Sequence, residues 1–195
     1  MTALAILSLL FLLLVWQVQV GGPLVRLDGA INAWLAPMRR KLALAGFGWL
    51  TQIGTGAAGT IVALVASGLF WSDGRTQLIL PAWIGFLGAQ ATTWSLKFVT
   101  RRVRPPFVEG VRAASPSFPS AHATVSTVVY GFVGLASAAG LAQEVRWVPL
   151  AAAAMLIMLI CFSRLLLSLH YLSDVLAGGV IGAFWLILGW GLVLR

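Results

Sequence analysis

His122 and His170 are the two histidines of the 195-residue chain, and each stands among residues that could work with it. His170 follows the pair Ser163-Arg164 and precedes Asp174 by four positions. On a helix that spacing makes the imidazole and the carboxylate neighbours on one face. A carboxylate that accepts from one ring nitrogen fixes the tautomer and leaves the other nitrogen free and more nucleophilic. His122 closes the run Pro119-Ser120-Ala121-His122. Ser120 is a good N-cap, and a helix starting there would aim free backbone N–H groups at its loop, a ready site for a phosphate. His122, in the first turn, is placed to give or take a proton. A third group is Lys97 with Arg104-Pro105; seven residues apart, the two cations share a helical face. Arginine offers a planar fork for a phosphate and lysine a compact charge.

Each group alone has a plainer reading: a solvated basic loop, a satisfied histidine at a helix end, a His–Asp pair that pins two helices. Together they supply Lys97, Arg104 and Arg164 as cations, a helix N-terminus, two histidines and one orienting carboxylate. That set can move a phosphoryl group without a metal. A metal site would need clustered carboxylates or several imidazoles. The five acids are scattered, so neither metal nor other cofactor is expected. Cys161 is the one cysteine and lies in an apolar run, which reads as packing and excludes a disulfide framework.

The elements that must position these residues are dictated by composition. The chain is 60% hydrophobic and 9% charged, with a mean hydropathy of +0.97. Six runs contain no Asp, Glu, Lys or Arg: Met1–Val25, Leu42–Ser72, Thr76–Leu96, Ala113–Gln143, Trp147–Ser163 and Val175–Leu194. About 20 apolar residues cross a bilayer core, so this is an integral membrane protein. Its net charge of +8 would suggest nucleic acid in a soluble chain. Here no water-exposed stretch is long enough for such a site, and membrane lipids or phosphorylated substrates are the better partners.

The first apolar run lacks the basic flank and small-residue cleavage site of a secretory signal, and reads as a retained helix ended by Gly21-Gly22-Pro23. A polar connector, Arg26–Lys41, follows. Further helices are expected within Leu42–Trp71 and over about Gln77–Lys97, Ser120–Gly140, Trp147–Leu167 and Tyr171–Leu194. The expected fold is all-α: one domain over residues 1–195, a bundle of six transmembrane helices with both termini on one side. Trp71, Trp94 and Trp147 fall at helix ends, where indoles favour the headgroup zone. Trp49, Trp83 and Trp185 read as scattered core aromatics.

Taken in order, Lys97…Arg104-Pro105, Pro119-Ser120-Ala121-His122 and Ser163-Arg164…His170…Asp174 resemble the three signature motifs of the type 2 phosphatidic acid phosphatase family. These are membrane lipid phosphate phosphatases related to bacterial acid phosphatases and vanadium haloperoxidases. The motifs span Lys97–Asp174. One departure is Ala121, where the family usually has glycine; alanine still supplies a backbone N–H, with a modest effect expected.

The resemblance implies the roles. His170 would attack phosphorus and form a phosphohistidine, with Asp174 holding its ring. His122 would protonate the leaving oxygen and then activate water. Lys97, Arg104 and Arg164, with Ser120 and the backbone at Ala121, would bind the phosphate oxygens. Undecaprenyl diphosphate is the favoured substrate; phosphatidylglycerol phosphate, phosphatidic acid and the phosphates of lipid A are alternatives. A lipid or ion transporter with histidine proton relays is the reading of another class; no paired broken helices or inverted repeat support it. The resemblance implies a bacterial inner-membrane protein with its active site facing the periplasm, as bacterial relatives commonly have. The charge count opposes that orientation. Ten basic residues (Arg26, Arg39, Arg40, Lys41, Lys97, Arg101, Arg102, Arg104, Arg112, Arg164) fall on the motif side, against Arg75, Arg146 and Arg195.

Overall fold

The computed structural model describes residues 2–41, 44–106 and 115–194. Residues 107–114 of the polar segment, Glu109 and Arg112 among them, lie outside the described residues, as do Leu42 and Arg195. Among the described residues the fold is helical: α1 (Thr2–Gln19), α2 (Pro23–Lys41), α3 (Leu44–Gln52), α4 (Gly56–Ser72), α5 (Ile79–Thr100), α6 (Ala121–Ala139), α7 (Trp147–Leu166) and α8 (Leu172–Val193). Short 3-10 turns at Thr76–Leu78 and Gln143–Val145 lead into α5 and α7.

Eight α-helices stand among the described residues where six were expected, for two local reasons. The connector Arg26–Lys41 is itself helical: Pro23 opens α2 as a first-turn proline can, after Gly21 turns the chain at a φ of +63°. The second apolar run breaks between Gln52 and Gly56, where Thr55 caps a new helix by accepting from the Ala58 N–H at 3.2 Å. The two pieces, α3 and α4, meet at a bend of 50°. Helices α1, α6, α7 (with its leading turn) and α8 are long and apolar enough to cross a bilayer, and the bent α3–α4 pair makes a fifth candidate. In α5, 22 residues long, Gln90, Thr92, Thr93, Ser95 and Lys97 dilute the apolar character.

Helix α6 is the centre of the bundle and packs on α7, α8, α5 and α4. Phe86 and Ala89 of α5 close on Val125, Val128 and Val129 of α6. At the far end Ala66 and Phe70 of α4 meet Phe132 and Ala136. Gly182 lets α8 approach α6 closely: a Cβ there would stand 2.8 Å from the Thr124 carbonyl. Trp71 and Trp147 are exposed at helix ends, whereas α5 runs on to Thr100 and leaves Trp94 six residues inside it; Trp83 and Trp185 pack around the α5–α6 core. Trp49 corrects the core reading, because 79% of it is exposed on the short α3.

Candidate active site

The signature residues gather where the C-terminal ends of α5 and α7 meet the N-terminal ends of α6 and α8. Lys97 lies in the last turn of α5, which stops when Arg101 takes a left-handed φ of 46°. Arg104 therefore sits on non-helical chain beyond the helix, and the two-turn spacing from Lys97 is not a shared helical face. Both cations still converge, on the Pro116 carbonyl: Lys97 Nζ donates to it at 2.6 Å and Arg104 Nη2 at 3.4 Å. Arg104 is further fixed by donating Nε–H to the Ser115 carbonyl at 2.8 Å and Nη1–H to the Leu169 carbonyl.

His170 likewise precedes α8, in the turn after α7, while Asp174 occupies its third helical position. The four-residue spacing thus bridges a helix start. His170 Nδ1 lies 3.5 Å from both Asp174 Oδ2 and Ser117 Oγ, and Nε2 points to Arg104 Nη1 at 3.3 Å. Asp174 Oδ2 also accepts from the Tyr171 N–H at 2.8 Å and from Ser117 Oγ. Burial pushes the His170 imidazole below its ordinary range, and the nearby Arg164 and Arg104 push the same way, against the opposing pull of Asp174. The ring is neutral near pH 7, with Nδ1–H toward the carboxylate and the Nε2 lone pair toward the cavity.

That cavity, about 210 Å³, is lined by Thr55, Gly56, Gln90, Trp94, Lys97, Arg104, Ser115, Ala121, His122, Arg164 and His170. It holds the three predicted cations, both histidines and Ala121. Asp174 stands directly behind His170. Ser120 is not part of the lining: it is fully buried, its hydroxyl facing the Ala123 N–H at 3.4 Å as the cap of α6. Arg164, 5% exposed, donates Nη1–H to Thr51 Oγ1 at 2.8 Å, and its Nε has no partner among the described residues. A buried guanidinium with a free donor beside Lys97 and Arg104 suits an anion with several oxygens.

Residues that sequence reasoning passed over complete the surroundings. Ser117 stands between His170 and Asp174, Thr51 holds Arg164, and Arg102 bridges Asp174 to Asp28 of α2. Asp28 carried a readable signal. In a chain with five acids and thirteen Lys and Arg, an acid on an otherwise basic stretch is unusual. Trp94 and Gln90, about one and two turns before Lys97 on α5, carried none.

Comparison with known proteins agrees with this arrangement. Residues 77–195 match the family model described as the PAP2 superfamily. A decaprenylphosphoryl-5-phosphoribose phosphatase of Mycolicibacterium smegmatis is 36% identical over 153 residues, which is 76% of this chain and 77% of that protein. Among solved structures, the transmembrane PAP2 type phosphatidylglycerolphosphate phosphatase from Bacillus subtilis superposes with a TM-score of 0.86 at 24% identity, covering 98% of this chain and 96% of that one. Aquifex aeolicus LpxE gives 0.60 at 20% identity, over 88% and 94% of the two chains. With a family match over more than half its length and a relative aligned over three quarters of it, this all-helical integral membrane protein belongs to the PAP2 superfamily.

Proposed function

We propose that this chain hydrolyses lipid phosphates or diphosphates without a metal, through a phosphohistidine at His170. As a PAP2 superfamily member it is a phosphatase acting on lipid phosphates. The observation that carries the mechanism is the pairing of two directions at one ring: His170 Nδ1 backed by Asp174 and Nε2 turned to the cation-lined cavity. Nε2 attacks phosphorus as the bond to the leaving oxygen breaks, and His122 gives that oxygen a proton. Lys97, Arg104 and Arg164 balance charge on the equatorial oxygens, with the N–H groups opening α6 at Ala121 beside them. His122, now neutral, takes a proton from water; the water oxygen bonds to phosphorus and the P–Nε2 bond breaks, releasing phosphate. Acid–base help of this kind contributes about 10²–10⁴-fold. Phosphate release from dioctanoyl phosphatidic acid in detergent with EDTA tests the class, and an acid-labile phosphorylated histidine that disappears in His170→Ala tests the route. A transporter would release no phosphate.

The substrate we infer is a polyprenyl-linked phosphate. Undecaprenyl diphosphate is one candidate of this class. The 36% identity to a decaprenylphosphoryl-5-phosphoribose phosphatase favours a second, a terminal phosphate on a polyprenylphosphoryl sugar. The cavity supports it: beyond the cations it continues along α5 to Trp94 and Gln90, whose Oε1 is buried without a partner among the described residues. That acceptor suits a hydroxyl on the leaving group. Competition among these two lipids, phosphatidylglycerol phosphate, phosphatidic acid and lipid A ranks them by kcat/KM. A Gln90→Leu loss confined to the sugar-bearing lipid is the expected signature.

We further propose one domain with six crossings (α1, the bent α3–α4 pair, α5, α6, α7 and α8), with α2 along the interface. Both termini then share a side, and the cavity opens to the periplasm of a bacterial inner membrane. The excess of basic residues on the cavity side argues the other way, but part of that excess belongs to the phosphate site. A cysteine replacing the exposed Arg101, in a Cys161→Ser background, should react with an impermeant maleimide from outside intact spheroplasts. Reaction only after permeabilisation reverses the orientation.

A further inference from the structure

The cavity accounts for Lys97, Arg104 and Arg164, yet one more cation at this end, Arg102, does not line it. Its guanidinium is gripped between two carboxylates instead. Nη1 donates to Asp174 Oδ1 at 2.6 Å, and Nη2 donates to Asp28 Oδ2 at 2.8 Å. The Tyr171 ring covers a face of the fork, 4.5 Å from Cζ. Asp28 also accepts from the Ser173 N–H at 2.9 Å and Ser173 Oγ at 2.5 Å. Asp28 is 1% exposed, and Ser173 and Asp174 are fully buried.

Two buried carboxylates facing one cation are an expensive arrangement unless their oxygens are bonded. Here the bonds to Oδ1 and Oδ2 of Asp174 are divided by direction. Oδ1 belongs to Arg102, and Oδ2 belongs to Ser117, the Tyr171 N–H and His170. We propose that Asp28 and Arg102 form a positioning relay for the reaction at His170, an inference that rests on the phosphohistidine route. Arg102 fixes the rotation of the Asp174 carboxylate so that Oδ2 meets Nδ1, and Asp28 fixes Arg102. The trio Asp28–Arg102–Asp174 carries a net single negative charge. When Nε2 bonds to phosphorus the ring becomes cationic, and that uncompensated charge lies directly behind it. Were Asp28 neutral, Arg102 would cancel Asp174 and the field at the ring would weaken. Helix α2, outside the segment matched by the family model, thus reaches the reacting group through two side chains.

The charged and titratable neighbours of this pair are few. Arg102, Asp28 and Tyr171 stand on one side of Asp174 and His170 on the other, with Lys97, Arg104, Arg164 and His122 around the cavity. Removing Arg102 takes away the cation bonded to Asp174 Oδ1, so the loss of activity should deepen as pH falls. Removing the Asp28 charge has no such effect.

The test uses the full chain in detergent with dioctanoyl phosphatidic acid, comparing wild type with R102M, R102K and D28N across pH 5–8.5. The expected result is a kcat about 10–100-fold lower in R102M, as for other partners of a reacting group's holder, with KM little changed. R102K should recover part of the loss, and R102M should be worst at low pH. D28N should lower kcat about tenfold at every pH. Gel filtration and the thermal midpoint give the folded fraction for normalisation. A uniform loss across pH, equal in R102M and R102K, marks mere scaffolding and overturns the relay, as does wild-type kcat in D28N. Absent wild-type turnover overturns the phosphohistidine route and the relay with it; wild-type turnover with an unaffected R102M overturns the relay alone.

Discussion

Helices α1 and α6 are nearly equal in length and opposite in use. Of the 18 residues of α1 only Leu14 is buried, whereas ten of the 19 in α6 are. The leucine-rich helix faces outward, and the helix built of Ala, Ser, Thr, Val and Gly is the core. In water the order would be reversed. In lipid, apolar surface gains nothing from burial against other helices, so small side chains that let backbones approach take the centre. Helix α7 divides along its own length: its four buried residues, Ile160, Ser163, Arg164 and Leu166, all lie in the last two turns, at the cavity. Along α7, polar function and packing therefore share the cavity end, and the rest of the helix is left to face lipid.

The largest test of that division is His170→Ala at the polar end. Phosphate release should fall on the order of 10⁴-fold or more, as when other enzymes lose a nucleophile, while the thermal midpoint stays near wild type. A normal rate would break the assignment. Two glycines of α8 sharpen the packing half. In Gly182→Leu the new side chain meets Thr127 and the Thr124 carbonyl of α6, and overpacking of about 1–3 kcal/mol should lower the thermal midpoint. Gly179→Leu, with nothing within 4 Å of its Cβ, should be tolerated. Equal effects would mean that α8 does not have two distinct faces.

A smaller signal comes from pH. Because burial and the nearby arginines hold the His170 ring below its ordinary range, nitrogen NMR of the single-histidine variant His122→Asn should show a neutral ring at pH 6. Unfolding frees the ring to take up a proton, so this group makes stability fall as pH drops below its unfolded value near 6.5. A titration midpoint near 6.5 in the folded protein would contradict the buried site. Least of all should be felt Leu9→Ala on α1, where the side chain is 67% exposed. Turnover should be unchanged and stability within about 0.5 kcal/mol.

Much of this was legible beforehand, and the exceptions share a cause. Helix ends came out within a residue or two wherever a local device marks them: Ser120 before α6, Gly140 after it, Trp147 at the start of α7. The connector Arg26–Lys41 read as loop because its charges and Pro37 hid an amphipathic helix, and the break at residues 53–55 lay inside an unbroken apolar run. The motif residues were found by type and spacing. Two helical-face arguments for them fail, since Arg104 and His170 lie outside helices, and the convergence comes instead from how four helix ends meet. Asp28, Thr51 and Ser117 could not be found by spacing, because they join the site only through tertiary contact.

That last point bears on what counts as a heritable unit here. The segment 77–195, which matches the family model, contains each signature residue, but two of its cations complete their bonding on residues that precede it. Arg102 reaches back to Asp28, and Arg164 to Thr51. Grafted onto a foreign N-terminal half, the segment would bring both guanidiniums and leave them facing strangers. The segment's charge balance thus depends on two side chains across a boundary that motif matching does not see.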